Sequence, residues 1–153
     1  MTPMTNNSGA VFSFEIENNE QIKALLKKAG DKAKDLRIPL KRAGILMVGS
    51  IDKNFRAEGR PDKWTPLSDM TLAMRRKHGR GAKILQDTGH GKGSIVYKVM
   101  NNQQVEIGTD VQYMAAHQTG KGRIPQRKFL LFQDEDNKNI VKIFTEYLGE
   151  IIK

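Results

Sequence analysis

The 153-residue chain contains no cysteine. Disulfides, iron–sulfur clusters, thiolate metal sites and cysteine nucleophiles are therefore excluded together. Aromatic residues make up only 7% of the chain, with a single tryptophan. No apolar run approaches the roughly 20 residues that a membrane span needs, and no membrane partner is expected. Met1 to Ser8 lacks both the basic start and the apolar stretch of a signal peptide. The protein is expected to be made and kept in a cytoplasm-like compartment, or assembled from one. Acid is the scarce charge: 17 Asp and Glu stand against 26 Lys and Arg, a net +9. Hydrophobic residues at 38% make the chain polar for a globular protein but too apolar for full disorder. The length predicts one domain, long enough to bury a core without staples.

The positive charge is concentrated. Residues 37–80 carry +7 and residues 121–128 carry +4. Such blocks attract nucleic acid or an acidic protein face, or serve only as a solvated surface. One cluster is Arg75, Arg76, Lys77 and Arg80; the other is Lys121, Arg123, Arg127 and Lys128. Neither cluster contains an acidic residue, and glycines in or beside both keep the backbone pliable.

The known catalytic signatures fail on spacing. Gly91-Lys92 is followed by Gly93 and preceded at five residues by Gln86, so it is not a phosphate-binding P-loop. The glycines precede a strand pattern, whereas a dinucleotide fingerprint follows one. His78, His90 and His117 form no metal-ligand pair at helical spacing. Gly-x-Ser-x-Gly is absent. No catalytic residue, metal ligand or cofactor is expected. His117 and Gln118 read as a structural hydrogen-bonding pair. Trp64 reads as an anchor for an irregular segment, against the alternative of a base-stacking platform flanked by Arg60 and Lys63.

Residues 1–9 have no apolar periodicity and predict a frayed, flexible tail before a domain over 10–153. Alternation of Phe12, Phe14 and Ile16 predicts a strand over 11–17. Asn18 or Asn19 can cap a helix carrying Ile22, Leu25, Leu26, Ala29 and Ala33. Pro39 opens a second helix running to about Phe55, with Gly44 and Gly49 placed for close packing. Ser68 can cap a short helix over 69–77, with Met70, Leu72 and Met74 as contacts. Residues 77–83 predict a mobile segment, Ile84-Leu85-Gln86 an anchor, and Gly89 to Gly93 a loop. Residues 94–100 and 103–108 predict a β-hairpin turning at Asn101-Asn102, where asparagine tolerates positive φ. Tyr113 to Gln118 predicts one helical turn. Asp134 or Asp136 caps a final helix with Ile140, Ile143, Phe144, Tyr147, Leu148 and Ile151 on one face.

Four blocks then stand in order. They are Phe55…Trp64-Thr65-Pro66-Leu67-Ser68…Thr71, Ile84-Leu85-Gln86-Asp87-Thr88-Gly89…Ser94, Ile107-Gly108-Thr109…Tyr113…His117-Gln118-Thr119-Gly120, and Ile124-Pro125-Gln126-Arg127-Lys128-Phe129-Leu130. Together they resemble the phage virion morphogenesis, or tail completion, family of tailed phages and prophages, over about residues 40–132. Gly91, Met114, Thr119 and Lys128 depart from the family's usual residues. The resemblance implies a non-enzymatic structural protein acting late in virion assembly, in tail completion or head–tail joining. It implies a homo-oligomeric ring whose partners are tail or head–tail connector proteins, with possible DNA contact in a lumen. It places the protein in the virion, after assembly in the host bacterial cytoplasm. It also implies an α+β fold, an antiparallel sheet with helices packed on it, and the residue patterns supply compatible parts: a small antiparallel sheet of an N-terminal strand and a central hairpin, packed by two N-terminal helices and a C-terminal helix. Trp64, Pro66, Tyr113, His117, Gln118, Pro125 and Phe129 are then structural anchors, and the two basic clusters are the interaction loops. Arg127 is suited to a carboxylate on the same or a neighbouring subunit. The alternative is a basic nucleic-acid-binding protein of another kind.

Overall fold

In the structure, a computed structural model describing residues 4–6, 9–15 and 20–153, a long helix lies between a four-stranded sheet and a pair of helices. The strands are β1 (Met4–Asn6), β2 (Gly9–Glu15), β3 (Val96–Val99) and β4 (Gln104–Thr109). All neighbours are antiparallel, in the order β1-β2-β4-β3. The helices are α1 (Glu20–Ala29), α2 (Arg37–Arg56), α3 (Asp69–Lys77), α4 (His90–Gly93), α5 (Gln112–Thr119) and α6 (Asp134–Ile152). The class is α+β, with α2 packed on β3 and β4 on one side and on α6 on the other, while α1 also packs on α6.

The elements follow from apolar spacing. On α2, Leu40, Ala43, Met47, Ile51 and Phe55 are buried, a stripe at helical period. Ile45, apolar but roughly 140° round the helix from that stripe, is exposed. On α6 the buried line is Ile140, Phe144 and Leu148. Val105 and Ile107 of β4 point inward at period two. Gly44 lets α2 approach β3: a Cβ there would lie 2.6 Å from Cδ2 of Tyr97. Gly49 has no such neighbour, so its absent side chain is not required for packing.

Several expectations need correction. Within the expected tail, residues 4–6 pair with β2, a backbone-to-backbone contact that leaves no apolar signature in the sequence. The expected capping residues Asn18 and Asn19, with Ile16, lie outside the described residues. Pro39 sits within the first turn of a helix that starts at Arg37. Helical spacing did not reveal that α1 ends at Ala29 and passes into a 3-10 turn, Gly30–Ala33. Gly89 to Gly93 is not all loop: His90–Gly93 forms one helical turn, entered through Gly89 at φ 77°. The hairpin forms, but neither Asn101 nor Asn102 takes a positive φ. Its turn is wider, closed by Met100 N–H donating to Gln104 O (2.9 Å) and Gln103 N–H donating to Asn101 Oδ1 (2.8 Å). α5 is two turns rather than one. Gln133, not Asp134 or Asp136, is the N-cap of α6, and Asp136 completes a capping box from the third helical position.

Candidate functional site

The four sequence blocks meet at the C-terminal end of α2. Phe55, the last apolar residue of that helix, touches Trp64 edge-on (centroids 5.5 Å apart) and Phe129 (5.6 Å). Trp64 is 7% exposed, and its Nε1 donates to Lys128 O (3.2 Å). It has no free face for a base. The turn before it needs Gly59, at φ 113°, where a Cβ would lie 2.6 Å from the Trp64 amide nitrogen.

Polar side chains of this region bind backbone. Gln118, buried on α5, accepts from the N–H groups of Phe129 (3.1 Å) and Leu130 (3.0 Å) and donates to Leu130 O (2.9 Å). One amide thus replaces a strand partner for residues 129–130. Arg127 is 5% exposed and donates from Nε to Thr65 O (2.9 Å) and from Nη2 to Pro66 O (3.2 Å). Its partners are two carbonyls of the Trp64-Pro66 block, not a carboxylate. It is therefore a tie between blocks and not an exposed cation of a loop. Burial lowers its pKa, and the charge of Arg75 lowers it further.

The other anchors differ among themselves. Phe129 is fully buried. Pro66 and Pro125 are exposed and act through backbone geometry, Pro66 also through the carbonyl that Arg127 holds. Tyr113 is 50% exposed, its ring edge-on to His117 (6.4 Å), so it is not a buried anchor. An apolar-looking residue at the start of α5 falls on the outer side of the helix. His117 does not pair with Gln118. Its Nδ1 is buried without a hydrogen-bond partner, while its carbonyl accepts from Arg127 N–H (2.7 Å). Desolvation, then the charge of Arg127, lowers the imidazole pKa and favours the neutral ring.

A second polar network was not visible in the sequence. Asn54 donates to Phe129 O (2.9 Å) and accepts from Arg60 Nε (2.8 Å). Arg60 also reaches Ser50 O (2.9 Å) and Glu135 (3.0 Å). Ser50 donates to Asp136 (2.8 Å), a buried carboxylate at the start of α6. Glu58 accepts from Ile84 N–H (2.7 Å), and Gln86 donates to Phe55 O (2.8 Å). The available signal was Ser50 and Asn54, two polar residues four apart within the apolar face of α2.

The first basic cluster divides. Arg75 is folded inward: Nη1 donates to Gly81 O (3.1 Å) and Lys83 O (2.7 Å), and Nε lies 3.7 Å from Asp87. Arg80 pairs with Asp87 at 2.9 Å. Residues 77–83, expected to be mobile from glycine and charge, are thus closed back on α3. The balancing acid lies just beyond the block. Arg76, Lys77, Lys121, Arg123 and Lys128 are exposed and make no ion pair among the described residues. The bonds of Arg127 to Thr65 O and Pro66 O bring the second basic segment to the residues that lead into α3. No group of three or more His, Asp or Glu suited to a metal ion occurs among the described residues, and no helix among them is long and apolar enough to cross a membrane.

The chain is similar to a Haemophilus influenzae protein named Mu-like prophage FluMu G protein 2, 31% identical over 152 residues, across 94% of this chain and all of that relative. No solved structure matches it. Residues 17–149 match the phage virion morphogenesis family, a span that takes in α1 through most of α6 and every residue of the lock around Trp64, Gln118 and Arg127. With that span and that relative, this chain belongs to the phage virion morphogenesis family.

Proposed function

We propose that this chain is a non-enzymatic structural component of the virion that acts in tail completion or head–tail joining, as a homo-oligomeric ring against tail or connector proteins. One observation carries the reading. Trp64, Gln118 and Arg127 spend their polar atoms on backbone groups of other blocks, so the blocks are tied into one body by the side chains that the family pattern shares. Function then falls to the outer surface, where Arg76, Lys77, Lys121, Arg123 and Lys128 stay uncompensated. These cations face acidic surfaces of adjoining proteins or DNA in a lumen.

The same cations favour a second reading, a nucleic-acid-binding protein. Titration with duplex DNA separates the two. A dedicated binder loses affinity steeply as salt rises, and a ring component does not bind free duplex tightly. The primary test is electron microscopy of lysates from a phage carrying a null allele. Unjoined heads and unfinished or free tails are expected, and normal particles would refute the assignment. A nuclease, peptidase or NTPase activity of pure protein, abolished by one substitution, would refute the non-enzymatic part.

A further inference from the structure

We propose that the outer face of α3 is a docking helix for an apolar groove, rimmed by carboxylates, on an acidic protein of the same virion. This rests on the assembly reading above and adds the surface and the chemistry of its partner.

The nine residues of α3 include none that is buried. Helices under about 12–15 residues are marginal in water unless packing holds them. This one is held at its ends instead. Ser68 Oγ accepts from Thr71 N–H (3.2 Å) at the start, and Arg75 clasps the carbonyls of Gly81 and Lys83 at the finish. Leu72 and Arg75 face the body, and the opposite side carries Met70, Ala73, Met74 and Lys77 at helical spacing. Met70 is 76% exposed and Met74 60%. Two aligned methionines in water are the reverse of what a monomeric surface needs, and methionine adapts to irregular apolar grooves. A helix fixed in place with its apolar side outward has already met the ordering cost of binding.

Charge selects the partner. Lys77 ends the apolar stripe and Arg76 flanks it, neither in an ion pair among the described residues. A groove with carboxylates at one end satisfies both features. Nucleic acid satisfies only the cations and would leave the methionine stripe against phosphate or water. A second copy of this chain, in which acid is the scarce charge, is the poorer match for this basic helix, whatever other face joins copies in the ring.

The test uses the full chain in two arms. Met70→Ser with Met74→Ser, and Arg76→Glu with Lys77→Glu, are expected to melt like wild type, because all four side chains are exposed. Each purified virion protein encoded alongside this chain is titrated with wild type and both variants. One acidic protein is expected to bind, and each variant to weaken it by roughly tenfold or more, the scale of losing paired interface anchors. In complementation of the null allele, both variants are expected to restore few infectious particles. Full restoration by the methionine variant, binding to no virion protein, or unchanged binding by either variant would overturn the docking helix. So would methionine-dependent self-association, or tight duplex DNA binding that the methionine variant keeps. A null allele that yields normal particles would overturn the assembly reading instead, so the two failures are distinct.

Discussion

Replacing Gln118 with methionine removes one side chain's polar atoms and keeps its volume. Three backbone partners lose their bonds: the N–H groups of Phe129 and Leu130, and the carbonyl of Leu130. All three sit beside residues that are almost wholly buried. Leaving one buried polar group unpaired costs about 1–3 kcal/mol. The three share one short segment, so a single shift of that segment relieves part of the loss, and a total of about 3–5 kcal/mol is expected. That is a large part of the ~5–15 kcal/mol that holds a typical domain together. For a chain of this length it corresponds to a melting point lower by roughly 6–20 °C. Urea denaturation followed by Trp64 fluorescence reads it directly, since the indole is held against Lys128 in the same lock. A loss below about 1 kcal/mol would show that residues 129–130 find other partners, and that Gln118 does not join the blocks.

Three further outcomes follow from the same geometry. Trp64→Ala should cost roughly 3–5 kcal/mol in thermal melting, by opening a cavity against Phe55, with no change in a nucleic-acid titration; the reverse pattern would restore the stacking platform. Arg75→Gln should destabilise by about 1–3 kcal/mol, because carbonyls of residues 81 and 83 lose a charged donor, whereas Arg76→Gln with Lys77→Gln should stay within about 0.5 kcal/mol by calorimetry. His117 has a pKa below its ordinary 6.5, so the unfolded chain binds the proton first as pH falls. Stability should therefore drop on acidification from about pH 6.5 towards the lowered value, and His117→Gln should flatten that slope in melts across pH 7.5 to 5.

Elements set by periodicity were legible: the stripes of α2 and α6, and the alternation of β3 and β4. The cap of α3 was legible too, since Ser68 lies three residues before Thr71 and the hydroxyl reaches its N–H. Features that rest on backbone groups were not. Strand β1 pairs through its main chain, and Arg127 and Arg75 meet carbonyls that no residue letter records. A sequence shows charge but not carbonyl acceptors, so both arginines read as loop cations. Met70 and Met74 read as inward contacts because apolar residues usually are, yet no element covers them. Asp136 read as a candidate cap of α6, and it does close the capping box there, but its bond to Ser50 of α2 needed the packing of α6 to be seen.

The central claim is that this chain is a fixed part of a finished particle. Quantitative mass spectrometry of purified infectious particles tests it most directly, with the portal and major tail proteins as internal standards. A constant copy number per particle, matching a whole ring, is predicted. Absence from particles, or an amount that varies between preparations and washes away in salt, would contradict it.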